Sequence, residues 1–141
     1  MPIEGSFQII GGNFTTAGEA SSEVKTVLTD LGVDGDIIRR IAIATFEAEM
    51  NVIIYAAAGQ LFYEVTDEYI KIRVQDMGPG IEDTNRAMQE GYSTAPEWVR
   101  NMGWGAGMGL PNMKKNADTF LLDSVVGEGT TVEMTMNLIK E

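Results

Sequence analysis

The stretch Asp36–Ala58, DIIRRIAIATFEAEMNVIIYAAA, constrains this chain more than any other part of it. Its apolar residues recur at helical spacing but cover much of the circumference. The spacing therefore predicts a helix from roughly Gly35 to Ala58 that is buried on more than one side. Asp34 is placed to cap its start and Gly59 to end it. Glu47, Glu49 and Asn51 interrupt this apolar surface, and a carboxylate or carboxamide on such a helix is expensive to bury without partners. Residues four apart stack on one face, so Glu47 and Asn51 point the same way, with Arg40, Ala44 and Ile54 close to that direction. Glu49 points elsewhere and reads as a surface residue.

Around this helix the period changes. Ser6–Ile10 reads as a short strand, and Thr15 or Thr16 caps a helix that runs to about Leu31 and stops at Gly32. Leu61–Val65 and Tyr69–Gln75 alternate apolar and polar residues and are joined by a turn at Thr66-Asp67-Glu68. From Asp76 to about Gly107 the chain is glycine-rich and without clear period, too long for an ordinary connection, which predicts a functional lid. Leu110–Ala117 fits a short helix. Thr119–Val126 and Thr130–Ile139 form a hairpin turned at Gly127-Glu128-Gly129. This order predicts an α+β fold, a two-layer α/β sandwich with helices on one face of a mostly antiparallel mixed sheet. A length of 141 residues suits one domain, residues 1–141.

The chain has no cysteine and no histidine. Disulfides, thiol nucleophiles, imidazole metal sites, serine–histidine–aspartate triads and a phosphohistidine are thereby excluded. Acid–base chemistry must rest on carboxylates, lysines or tyrosines. Ten basic against 21 acidic residues give a formal charge of −11, which disfavours nucleic acid and anionic membranes as partners. No apolar run approaches the roughly 18–20 residues of a membrane span, and no basic region precedes the short apolar run of MPIEGSFQII, so a cytoplasmic protein is expected.

Four clusters carry residue types that suit chemistry. In Glu47-Ala48-Glu49-Met50-Asn51, Asn51 can offer an oxygen to Mg²⁺ and Glu47 can act as general base, or the pair is a solvent-facing stripe. Asp76-Met77-Gly78-Pro79-Gly80-Ile81 follows a strand. The aspartate can accept from an exocyclic amine such as adenine N6 while glycines let a flat ligand approach, or Gly-Pro-Gly is only an efficient turn. Gly103 to Leu110 alternates glycines before a helix, which suits phosphate contact by backbone N–H groups or a hinge. Its spacing fits neither a dinucleotide fingerprint nor a Walker loop. Gly127-Glu128-Gly129-Thr130-Thr131-Val132 reads first as a hairpin turn, in which the Thr130 hydroxyl can lie beside Asp76 and help hold a base-bridging water.

In their order and spacing these clusters resemble the GHKL superfamily, whose members bind ATP in the Bergerat fold. Glu47…Asn51 resembles its N box, Asp76-x-Gly78-x-Gly80 its first glycine box, Gly105-x-Gly107-x-Gly109-Leu110 its second and Gly129-Thr130 its third, over roughly residues 35–138. Gly91-Tyr92-Ser93-Thr94 followed by Gly-x-Gly-Met-Gly-Leu-Pro is most similar to the anti-sigma-factor serine/threonine kinase branch, the RsbT, RsbW and SpoIIAB group, and within it to the RsbT type.

The resemblance implies ATP and Mg²⁺ as ligands, with phosphorylation of a serine or threonine on a STAS-domain or stressosome-type partner. It implies Glu47 as base, Asn51 as metal ligand, and Asp76, Gly78, Gly80, Ile81 and Thr130 around the adenine. It also implies Gly105, Gly107, Met108, Gly109 and Leu110 around the phosphates, with a lid over about residues 82–108. Such kinases exchange partners, among them sigma factors and signalling phosphatases, and are often dimers, so a homodimer is one arrangement open to the chain. A nucleotide-gated module that sequesters a sigma factor or signalling enzyme is the alternative, and plain ATP hydrolysis a third. Three features depart from the pattern. The segment Ala95–Trp104 lengthens the lid and holds both tryptophans. The lid lacks lysine, leaving Arg100 for the γ-phosphate ahead of Lys114 and Lys115. Met50 stands where relatives often carry a basic residue.

Overall fold

Ile70, Ile72 and Val74 are buried while Lys71, Arg73 and Gln75 are exposed, the period-2 signature of a sheet with one covered face. A computed structural model describes residues 2–81, 83–89 and 109–139. Its elements are β1 (Ile3–Ile10), a 3₁₀ turn (Phe14–Thr16), α1 (Glu19–Asp30), α2 (Gly35–Tyr55), β2 (Ala58–Val65), β3 (Tyr69–Asp76), α3 (Thr84–Ala87), α4 (Gly109–Asn116), β4 (Thr119–Val125) and β5 (Gly129–Asn137). The strands lie in the order β1-β2-β3-β5-β4, and each of the four pairings is antiparallel. The fold is α+β with helices packed on one face of this open sheet, as the element order predicts.

The core lies between the layers. Leu61, Val65, Ile70, Ile72, Val74, Val132, Met134 and Met136 rise from the sheet to meet Ile41, Ala44, Ala48, Val52 and Ile53 of α2. Helix α2 also packs between α1 and α4, which explains why its apolar surface wraps so far round. Its first turn is capped as expected, with Asp34 accepting from the Asp36 N–H at 2.9 Å. It ends at Tyr55, before Ala58, because sheet bonding claims the backbone that follows. Ala56 is extended, and the Ala57 and Ala58 carbonyls accept from the N–H groups of Gly11 and Met77. Gly32 closes α1 through paired bonds, Val33 N–H to Leu28 O and Gly32 N–H to Thr29 O, the expected glycine stop.

The start of α1 differs from expectation, and so does Glu49. Thr15 and Thr16 belong to the separate 3₁₀ turn, and α1 begins at Glu19 behind Gly18, which offers no capping side chain. Glu49 of α2 supplies the cap instead. Its Oε2 accepts from Gly18 N–H (3.1 Å) and Ala20 N–H (3.2 Å), and its Oε1 from Ser21 N–H (3.2 Å). The residue read as surface is only 1% exposed. A carboxylate is satisfied there because the first N–H groups of a helix lack intrahelical partners and carry partial positive charge. The cap reaches across some thirty residues of sequence, beyond the span of local capping rules.

Candidate functional site

Glu47 and Asn51 share one face of α2, as their spacing requires, and both are half-buried. They do not form a solvent stripe, because the first turn of α4 closes on them. A Cβ added to Gly109 would lie 3.1 Å from Asn51 Oδ1 and 3.4 Å from Glu47 Oε2. Any side chain at this position would crowd both side-chain oxygens, and glycine leaves that space beside them. One turn further along α4, Asn112 hydrogen-bonds the Glu47 side chain. Burial pushes the Glu47 carboxyl above the ordinary range, and the Asn112 bond pulls part of that back. A carboxylate raised in this way is a stronger base at neutral pH than an exposed one.

Helix α4 is held at its other end as well. Arg40, which shares the general direction of Glu47 on α2, donates to the Asn116 carbonyl at 3.0 Å and pairs with Asp118 at 3.6 Å. Leu110 and Met113 turn into the core against α2. The Leu110 side chain is therefore a packing group, and it is the backbone at the head of α4 that lies beside Glu47 and Asn51.

A second cluster forms where β3 ends. Asp76 Oδ1 accepts from Gly78 N–H (2.9 Å) and Thr130 N–H (3.1 Å). Among the described residues both bonds to this carboxylate fall on Oδ1, so Oδ2 keeps its lone pairs for a ligand N–H. Gly78-Pro79-Gly80 is a turn and also a packing surface. Gly80 has φ +79°, and a Cβ there would collide with the Val125 carbonyl oxygen, while Gly127 N–H donates to Pro79 O at 2.8 Å. The two clusters are joined through α2. A Cβ on Gly78 would touch Ala56 Cβ (3.1 Å) and Tyr55 O (3.2 Å), one turn beyond Asn51.

Thr130 stands beside Asp76 as expected, but its backbone N–H makes the contact. Its hydroxyl lies 2.8 Å from Ser124 Oγ on β4. Ser124 Oγ also accepts from Ile81 N–H at 2.7 Å and reaches Gly129 O at 3.2 Å. Ser124 thus ties Ile81 of the first glycine box to Thr130 of the third, a role the sequence reading missed. The signal was there: alternation along β4 puts Ser124 on the same face as Phe120 and Leu122, and a polar residue at an inward position needs partners.

Gly105, Gly107, Met108, Arg100 and the segment Ala95–Trp104 lie outside the described residues. Of the lid expected over about residues 82–108, residues 83–89 are described, with α3 capped by Asp83 through the Arg86 N–H at 3.0 Å. Among the described residues no group of three acidic side chains forms a cation cage, and no helix is long and apolar enough to cross a membrane.

Residues 13–136 match the model of the histidine kinase-like ATPase domain. The serine/threonine-protein kinase RsbT of Bacillus subtilis is 37% identical over 113 residues, covering 77% of this chain and 79% of that protein. The anti-sigma F factor of Caldanaerobacter subterraneus is 37% identical over 103 residues (70% and 68%), and that of Bacillus licheniformis 30% identical over 123 residues (83% and 81%). With the match spanning the N-box helix, both described glycine clusters and the sheet between them, the chain belongs to the family of histidine kinase-like ATPase domains.

Proposed function

We propose that this chain is an ATP-dependent serine/threonine protein kinase of the partner-switching type, and that its substrate is a STAS-domain protein of the anti-sigma-antagonist or stressosome kind. The observation that carries the reading is the approach of Gly109 to Glu47 and Asn51, which sets a raised carboxyl and a carboxamide oxygen together beside the head of a helix. The relatives' names support the choice of hydroxyl acceptor.

ATP is the phosphoryl donor. Asp76 Oδ2 accepts from the exocyclic amine of adenine, with Gly78, Gly80, Ile81 and Thr130 around the base. The backbone N–H groups that open α4, after Gly105, Gly107 and Met108, face the phosphates. Asn51 Oδ1, beside Gly109, is a hard oxygen donor of the kind that would hold Mg²⁺. The ion, when bound, supplies charge neutralisation on those oxygens. Glu47 takes the proton of the partner's serine or threonine hydroxyl as that oxygen bonds to the γ-phosphorus and the bond to ADP breaks. The surrounding chain acts as one cytoplasmic domain, alone or as a homodimer. Its phosphorylated and unphosphorylated partners, a sigma factor or signalling phosphatase among them, compete for it. The charge of −11 argues against nucleic acid and anionic membrane as partners.

The test is transfer of ³²P from γ-labelled ATP, with Mg²⁺, to a co-encoded STAS protein, followed by mapping of the labelled residue. Tight association without transfer supports the sequestering module instead, and phosphate release without a partner supports simple hydrolysis. Asp76→Asn should weaken ATP binding about tenfold to a hundredfold, the worth of a hydrogen bond to a charged acceptor. Its remaining oxygen can still accept from Gly78 and Thr130, so the turn persists. Calorimetry on wild type and variant checks this; equal affinities would remove Asp76 from the base site.

A further inference from the structure

Ser124 has one hydroxyl proton and two lone pairs. Three partners surround its oxygen: Ile81 N–H at 2.7 Å, the Thr130 hydroxyl at 2.8 Å and the Gly129 carbonyl at 3.2 Å. The Ile81 N–H can only donate and the Gly129 carbonyl can only accept. Only one distribution of protons satisfies all three partners: Ser124 donates to Gly129 O and accepts from both Ile81 and Thr130. In that arrangement the Thr130 proton is committed to Ser124, and Thr130 Oγ1 offers only lone pairs to anything else. Thr130 N–H is likewise committed, to Asp76 Oδ1. The side chains of Asp76 and Thr130, on the neighbouring strands β3 and β5, therefore present acceptors and no donor.

We propose that Ser124 is a specificity-determining positioning residue: by holding the Thr130 hydroxyl proton it keeps the edge of the base site acceptor-only, which admits a 6-aminopurine and rejects a 6-oxopurine. The inference rests on the reading that the nucleotide base sits against Asp76. A 6-amino group donates to these acceptors, whereas a 6-oxo group would set an oxygen against oxygens that have no proton to share. Without Ser124 the Thr130 hydroxyl is free to turn and donate, and the discrimination weakens.

The experiment measures affinities for ATP and inosine triphosphate by calorimetry, with thermal melts of each ligand-free protein run in parallel. Ser124→Ala should lower the ATP-to-inosine-triphosphate preference about tenfold, the worth of one neutral hydrogen bond. Ser124→Thr, which keeps the hydroxyl, should retain the preference. Thr130→Val removes the hydroxyl at constant shape. Adding Ser124→Ala to it should leave the preference where Thr130→Val put it, because the two residues act as one unit. If Ser124→Ala folds and weakens both nucleotides equally, Ser124 is only a structural tie and the inference is overturned, while the base site stands. Should Ser124→Ala fail to fold, Ser124→Cys, whose thiol is a poor acceptor for the Thr130 proton, takes its place, and a wild-type ratio in that folded variant overturns the inference. If wild type binds neither nucleotide, the reading of Asp76 fails first and takes the inference with it.

Discussion

Replacing Glu47 by alanine should lower phosphoryl transfer to the partner's hydroxyl by about 10²–10⁴-fold, the contribution expected of a positioned general base. Nucleotide affinity should stay within a few-fold, because the Asp76 cluster and Asn51 are unchanged. The alanine variant also deletes a hydrogen bond to Asn112 and leaves space beside Gly109, so part of its loss is positional. Glu47→Gln separates the two effects. Glutamine keeps the length of the side chain and can still pair with Asn112, but it cannot take a proton at neutral pH. If Glu47 is the base, both variants lose transfer to a similar extent; if it only positions α4, glutamine restores most of the rate. Single-turnover label transfer, with calorimetry on the same samples, reads both quantities. A glutamine variant that works at the wild-type rate would remove Glu47 from the chemistry.

The residues legible from sequence were those whose partners lie nearby in the chain. Glu47 and Asn51 follow from helical spacing, Asp34 and Gly32 from end signals, and the strands from alternation, all interactions within a few residues. The strand end at Asp76 and the turn after it were legible from the alternation of β3 and from Gly78-Pro79-Gly80. Ser124 and the long-range Arg40 bond were not, since Ser124 meets Ile81 43 residues away and Arg40 meets Asn116 76 residues away. The missed end of α2 has the same origin: the Ala56–Ala58 backbone is claimed by Gly11 and Met77, which no local propensity can register.

Glu49 is the instructive case, because the argument that demanded partners for Glu47 applied to it with more force. A helix apolar round most of its circumference leaves little solvent for a second carboxylate, so a charge there implies donors from another element. Those donors are the N–H groups of Gly18, Ala20 and Ser21. The expected consequence is large. Glu49→Ala leaves the buried Ala20 and Ser21 N–H groups without acceptors and removes the charge that complements the helix terminus. Each orphaned buried donor costs about 1–3 kcal/mol, and relief of the burial cost of the carboxylate offsets part of this. We expect a net loss of about 3 kcal/mol, a sizeable share of the roughly 5–15 kcal/mol that holds a domain together. Glu49→Gln should fall in between, because its amide group turns a donor toward donors. Urea unfolding measures both variants, with a lower midpoint at an unchanged slope. Hydrogen exchange supplies the local readout: in the folded variant the amides of Ala20 and Ser21 should exchange faster than those of α2, as α1 frays from its uncapped end. Should both variants unfold within about 0.5 kcal/mol of wild type, the range of an ordinary surface change, the carboxylate is not what anchors α1 to the helix that carries Glu47 and Asn51.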